Sequence, residues 1–192
     1  MQSAFSHFLQ QHGADQATID QALADATLLE LPTRHILLHQ GEPVEHAFFL
    51  VDGICHACYL TENGRQFSKE FYWEQEMLIG FESLTNDAPS PFLLETLSAS
   101  QLVAIPLSVI KQWRAQHHPL YQHLLERQLQ FKEHKERFML LHSPEERFAL
   151  FGEHFPELCQ RITDQQLASY LGITATSLSR IRKRLAHDDD NR

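Results

Sequence analysis

The segment from Thr163 to Leu185 constrains the fold of this chain more than any other. It places Ala168, then Gly172, then the apolar set Ile173, Leu178, Ile181 and Leu185 at spacings that two short crossed helices require. Such a pair needs a small residue where the helices touch, a glycine that can take the left-handed conformation after the first, and apolar residues that pin the second across it. The spacing therefore predicts a helix-turn-helix over about Thr163–Leu185, with Thr174 capping its second helix. Ala175, Thr176, Ser179 and Arg180 fall on the outward, N-terminal part of that helix, where base edges in a major groove are reached, and Thr174 and Ser177 join them as candidate DNA-contacting residues, the Ser177 and Ser179 hydroxyls suiting either phosphate contact or a cap. An arginine at position 180 suits bidentate contact with a guanine or a phosphate, and Arg182 and Lys183 suit phosphates.

Charge placement agrees with that reading. The chain of 192 residues has a formal net charge of -9, which argues against coating nucleic acid by bulk attraction. Between Arg161 and Leu185, however, the cations Arg161, Arg180, Arg182, Lys183 and Arg184 face the single acid Asp164. Attraction for phosphate is thus concentrated in one place on an acidic body. There is no run of eighteen apolar residues, and the N-terminus has neither a basic nor an apolar leader pattern, so the expectation is a cytoplasmic protein without membrane attachment. Three cysteines, an odd number, fit reduced thiols rather than a disulfide framework.

Upstream, the hydrophobic period changes twice. Residues up to about Leu31 read as helical, with Phe5, Phe8 and Leu9 at helical spacing and Asp15 starting a second helix that carries Ile19, Ala22, Leu23 and Ala26. From His35 to Ile105 short apolar runs alternate with turn signals, predicting strands near His35–His39, Ala47–Val51, Ile54–Leu60, Arg65–Tyr72, Met77–Leu78, Phe92–Leu97 and Gln101–Ile105. Asn63-Gly64 suits a two-residue hairpin with positive φ at both central positions. Strands at this spacing imply a sandwich or jelly-roll-like barrel. After Pro106 the pattern is helical again. Leu124, Phe131 and Phe138 fall seven residues apart, with Tyr121, Gln128 and Lys135 between them, a seam suited to pairing with a second copy of the chain. Ser143-Pro144-Glu145-Glu146 is a capping box with proline at the first helical position, so one helix ends near His142 and another begins. The expected division is residues 1–118 as a β-roll with N-terminal helices, 119–142 as a long dimerisation helix and 143–192 as a DNA-binding domain.

Two sets of residues together resemble one family. The Gly172-Ile173-Thr174 turn with Ser177-Leu178-Ser179-Arg180-Ile181, and His39-Gln40-Gly41-Glu42-Pro43 through Phe48-Phe49-Leu50-Val51-Asp52-Gly53, are similar to the helix-turn-helix and β-roll signatures of the cyclic-AMP receptor protein and Fnr (Crp/Fnr) regulators. The resemblance implies an α+β architecture: an N-terminal jelly-roll-like β-roll of the cyclic-nucleotide-binding type, a long dimerisation helix and a C-terminal helix-turn-helix. It implies a homodimeric transcription regulator on a palindromic site, with double-stranded DNA and a second copy as partners and RNA polymerase as a candidate third. The alternative is a small-molecule sensor or interaction subunit in which DNA binding is secondary.

The chain departs from the family at three places. Where cyclic-nucleotide-binding members carry an arginine for the cyclic phosphate, Ser90 and Pro91 stand here, so a cation is missing and a donor N–H is lost. No cyclic-AMP binding of the usual kind is expected, and Gly80, Glu82 and Ser90 remain as candidate residues of an altered pocket. The N-terminal cysteine cluster of iron–sulfur members is absent, and Cys55 and Cys58, three apart on a strand, point to opposite faces, so no metal is assigned. The run Asp188-Asp189-Asp190 soon after Leu185 leaves no room for a full β-wing. No phosphate-binding glycine loop, metal-ligand spacing or nucleophile elbow points to an enzyme, and neither cofactor nor effector is assigned.

Overall fold

The computed structural model describes residues 1–190, with side chains through Leu185. Two helices, α1 (Gln2–Gln11) and α2 (Gln16–Ala24), lead into eight strands: β1 (Thr27–Leu31), β2 (Ile36–Leu38), β3 (His46–Asp52), β4 (Cys55–Leu60), β5 (Gln66–Tyr72), β6 (Glu76–Leu78), β7 (Leu93–Thr96) and β8 (Ser100–Pro106). A short helix α3 (Phe81–Asn86) interrupts them after β6. Then come α4 (Leu107–Ala115), the long α5 (Pro119–Leu141), α6 (Pro144–His154), α7 (Pro156–Arg161), α8 (Asp164–Tyr170) and α9 (Ala175–Asp190). No helix is long and apolar enough to cross a membrane, among the described residues. The acidic run at 188–190 and the β-wing expectation built on it fall outside the residues whose side chains are described.

The strands form two antiparallel four-stranded sheets, ordered β1-β8-β3-β6 and β2-β7-β4-β5. Their facing sides enclose Phe48, Leu50, Cys55, Ala57, Tyr72, Phe92, Leu94 and Leu102. The outer side of the first sheet, with Ala47, Phe49, Val103 and Ile105, packs against Phe5, Phe8, Leu9, Ile110, Trp113 and Leu120 of the helices. Strand β3 is therefore covered on both faces, which is why Ala47-Phe48-Phe49-Leu50 is an unbroken apolar run instead of an alternation. The outer side of the second sheet offers Ile54 and Phe71 to Phe151, Leu167 and Tyr170 of the C-terminal helices, so the β-roll and the C-terminal part share a third apolar cluster.

The structure corrects the sequence reading at two places. Thr27–Leu31, read as the end of a helical lead-in, is a strand paired in register with β8, Leu29 opposite Leu102. Leucine-rich local propensity there yields to the free edge of β8, whose N–H and C=O groups need partners. The hairpin between β4 and β5 has positive φ only at Gly64, not at Asn63. Gly64 N–H donates to the Thr61 carbonyl at 2.9 Å, and the Thr61 hydroxyl takes the Arg65 N–H at 3.1 Å, so the loop is one residue longer than the two-residue form.

Candidate nucleic-acid interface and the interior of the roll

Helix α8 begins in a capping box: Thr163 Oγ1 accepts from Gln166 N–H at 3.3 Å, and the Gln166 side chain accepts from Thr163 N–H at 2.9 Å. Gly172, at φ 70°, turns the chain, and the Ile173 N–H returns to the Ala168 carbonyl at 2.9 Å. Thr174 then caps α9 by accepting from Ser177 N–H at 3.1 Å. Leu178 and Ile181 are buried, Leu178 in the cluster that holds Leu167, Ala168 and Leu171, leaving the opposite face of α9 to solvent.

That face carries Thr174, Ala175, Thr176, Ser179, Arg180, Arg182 and Lys183, all exposed. The structure distinguishes among them. Ser177 is half-buried and its hydroxyl meets that of Thr174 at 2.9 Å, so it serves the cap. Arg182 is paired with Asp164 at 2.7 Å and lies over the Phe148 ring, while Arg184 is paired with Glu145 at 2.7 Å. Arg180 and Lys183 make no ion pair among the described residues, so their charges are available to an incoming anion.

The long helix α5 divides its residues differently from the heptad seam. Tyr121 and Leu124 are buried in the core of the protomer's own β-roll, and Phe138 packs against the C-terminal cluster. Gln128 and Phe131 are half-buried beside Glu70, Tyr72 and Arg127. The solvent-facing leucines are Leu125, Leu129, Leu140 and Leu141, of which the first two fall one position on from the expected seam. Tyr121 and Leu124 are thus intramolecular packing residues; the large side chains at that spacing satisfy the roll first, a choice that periodicity alone cannot make.

In the roll, Gly80 precedes the first turn of α3, Glu82 is exposed on it, and Ser90 is buried on the segment before β7. Ser90 is fully engaged: its hydroxyl donates to the Phe92 carbonyl at 2.7 Å and its N–H donates to the Glu42 carbonyl at 2.8 Å. Between Leu38, Phe48, Tyr72, Gly80, Phe92 and Leu94 only about 10 Å³ of space remains, room for about one water molecule at most. Lys69 lies over the Phe92 ring at 4.6 Å and 3.5 Å from the Glu70 carboxylate. Burial pulls its pKa down to about 8, with Glu70 opposing the fall.

The sequence reading missed the contact between α8 and strand β5. The Ser68 N–H donates to Ser169 Oγ at 2.8 Å, and the Ser169 hydroxyl donates back to the Gln66 carbonyl at 3.1 Å. Arg161 and Glu74 pair at 2.9 Å beside it, and Lys135 lies 4.0 Å above the Tyr170 ring. None of these residues has a distinctive spacing, because the contact joins segments about a hundred positions apart. Of the cysteines, Cys55 is in the core between the sheets, its thiol pushed up to about 12 by burial. Cys58 is buried as well, at about 11, raised by burial and then by Glu95.

A β-roll feeding a long helix and a helix-turn-helix defines an architecture built on a cyclic-nucleotide-binding-type domain. The chain belongs to the cyclic nucleotide-binding domain family, whose model matches residues 22–117. Its fold over most of its length is that of the Crp/Fnr transcription regulators. It is similar to the c-di-GMP-responsive global regulator CLP of Xanthomonas campestris, with a TM-score of 0.74, 18% identity and coverage of 91% of this chain and 93% of that one. FixK2 of Bradyrhizobium japonicum gives a TM-score of 0.72 at 18% identity over 85% and 86% of the two chains. A Crp/Fnr-family regulator of Eubacterium rectale gives 0.75 at 15% identity over 94% and 87%. No curated protein matches the sequence.

The cyclic nucleotide that the family name implies does not fit the interior of this roll. A small-molecule site is usually several hundred Å³, and a buried cyclic phosphate needs a cation or a dense set of donors. Here aromatic side chains fill the space and Ser90 spends its donors on its own chain.

Proposed function

We propose that this protein is a sequence-specific DNA-binding transcription regulator of Crp/Fnr type, without enzymatic activity, that acts as a homodimer in the cytoplasm and does not respond to cyclic AMP. The observation that carries the reading is the face of α9: it buries Leu178 and Ile181 and leaves Thr176, Ser179, Arg180 and Lys183 exposed, with Arg180 and Lys183 unpaired among the described residues. Residues 1–118, 119–142 and 143–192 act as sensor-like roll, dimer helix and DNA-binding domain. The dimer forms through the Leu125, Leu129 and Leu140 face of α5, which sets two recognition helices about 34 Å apart on an approximate palindrome. Arg180 reads a base, and Lys183 with Thr174 and Ser179 contacts phosphates. RNA polymerase is the partner through which such a dimer would act.

The test is selection of bound sequences from a random DNA pool, followed by a salt titration of the best duplex with wild type and Arg180→Ala. The expected result is an enriched palindrome and a loss of about 1–3 kcal/mol in the variant, with relaxed preference at one position of each half-site. No enrichment at low salt, or equal affinity of the variant for all duplexes, would remove the reading.

A further inference from the structure

The outer face of the second sheet holds a buried polar cluster directly under α8. His56 and Cys58, two residues apart on β4, share that face, and Glu95 on β7 is the cross-strand partner of His56. One donor atom from each of the three lies within 4.8 Å of the other two. His56 is 2% exposed and Cys58 is fully buried. His56 Nδ1 is 3.4 Å from Glu95 Oε1, and His56 Nε2 is 2.8 Å from Ser68 Oγ.

One of the two neutral arrangements of these hydrogen bonds leaves a place for a cation. Ser68 Oγ also reaches the Gln166 carbonyl of α8, at 3.3 Å. A carbonyl only accepts, so when the single Ser68 proton goes to it, His56 donates from Nε2. Nδ1 then presents a lone pair to a carboxylate oxygen, and the Cys58 sulfur is the third donor converging on the same spot.

We propose that His56 Nδ1, Cys58 Sγ and a Glu95 carboxylate oxygen form a site for a divalent transition-metal ion of the Zn²⁺ kind at the junction of the β-roll and helix α8. One nitrogen, one sulfur and one oxygen make a donor set of borderline softness suited to that ion, and three protein ligands leave a fourth position for solvent. Bond lengths of about 2.0–2.3 Å imply donor separations of roughly 3.5 Å, so the three atoms close by about 1 Å on binding, chiefly through the partly exposed Glu95. The Cys58 S–H bond breaks as the metal–sulfur bond forms, and the proton leaves to solvent. Cys55 takes no part, because its side chain is on the opposite face, in the core between the sheets.

Occupancy also acts on α8. Metal on Nδ1 fixes the Nε2–H tautomer, so the relay His56 to Ser68 to Gln166 carbonyl runs in one direction and ties α8 to the roll. In the metal-free neutral ring, a proton on Nδ1 facing Glu95 turns the Ser68 hydroxyl toward Nε2 and releases the Gln166 carbonyl. Neither the site nor this coupling depends on the DNA-binding reading.

The experiment uses the full chain, stripped with a chelator, then titrated with Co²⁺ as the spectroscopic probe and Zn²⁺ as the competitor. One equivalent of Co²⁺ should give a tetrahedral d–d spectrum with a thiolate-to-cobalt charge-transfer band, both bleached by Zn²⁺. The charge-transfer band should vanish in Cys58→Ser and persist in Cys55→Ser and Cys159→Ser, and Ser68→Ala should weaken binding roughly tenfold. Circular dichroism verifies that each variant is folded, and Glu95→Gln, at a partly exposed position, keeps the test decisive if Cys58→Ser is not. Zn²⁺ should slow amide exchange across Gln166–Tyr170. Absence of a one-equivalent site, a charge-transfer band that survives Cys58→Ser, or wild-type affinity in Glu95→Gln would overturn the site; unchanged exchange in α8 on binding would overturn the coupling.

Discussion

At the scale of single residues, Gly172 is the position where sequence and structure agree most closely. Its φ of 70° is the left-handed conformation that the helix-turn-helix reading required, and a Cβ there would come within 2.9 Å of Met139 Cε. Because that methyl is the end of a flexible side chain, the conformational cost dominates. Gly172→Ala should destabilise the fold by about 1–2 kcal/mol in urea denaturation, with no change in the slope of the transition. Ser90 shows the converse. The missing arginine was visible in the sequence, but that the serine hydroxyl closes on its own Phe92 carbonyl, and that aromatic rings fill the adjoining space, was not. A hydroxyl's partner depends on neighbours that no local pattern records.

At the scale of elements, α5 carries two apolar faces with different fates. Leu124 is buried in the roll core, and Leu129 is 59% exposed. Leu124→Ala should therefore cost about 2–5 kcal/mol of protomer stability by thermal or urea unfolding. Leu129→Glu should change protomer stability by no more than about 0.5 kcal/mol, yet shift the sedimentation of the chain from dimer to monomer under the proposed assembly. The bounds of α5 were legible, since Pro119 and the Ser143-Pro144 capping box mark them chemically. Its faces were not, because a helix flanked by a roll, a C-terminal domain and a second copy has more apolar surface than one periodicity can apportion.

At the scale of the whole molecule, Lys135 of α5 stands where β-roll, long helix and C-terminal helices meet. Its ammonium group donates to the Lys69 carbonyl and covers the Tyr170 ring. Burial pulls its pKa from 10.5 to about 7, against the attraction of Glu70 and with help from Lys132 and Lys69. The folded state thus binds fewer protons than the unfolded one between about pH 7 and 10.5, so this residue makes stability rise with pH across that window. The destabilisation is complete below about pH 7 and fades toward 10.5. Lys135→Met should remove that component: denaturant midpoints of wild type and variant should converge as pH rises from 7 to 10, with the variant the more stable at pH 7. A wider gap at pH 10 than at pH 7 would contradict the assignment.

By itself the sequence determined the order of parts: helices, a roll of strands, a long helix and a helix-turn-helix with its caps and its glycine turn. Those depend on period, proline, glycine and capping residues, whose effects act within a few positions. Only the tertiary structure decided that Thr27–Leu31 is an edge strand, which face of α5 is left free, that α8 docks on β5 through Ser68 and Ser169, and that His56, Cys58 and Glu95 converge. Each of these joins residues distant in the chain, and what brings them together is the need of buried apolar faces and backbone donors to find partners, a requirement satisfied globally and not by local spacing.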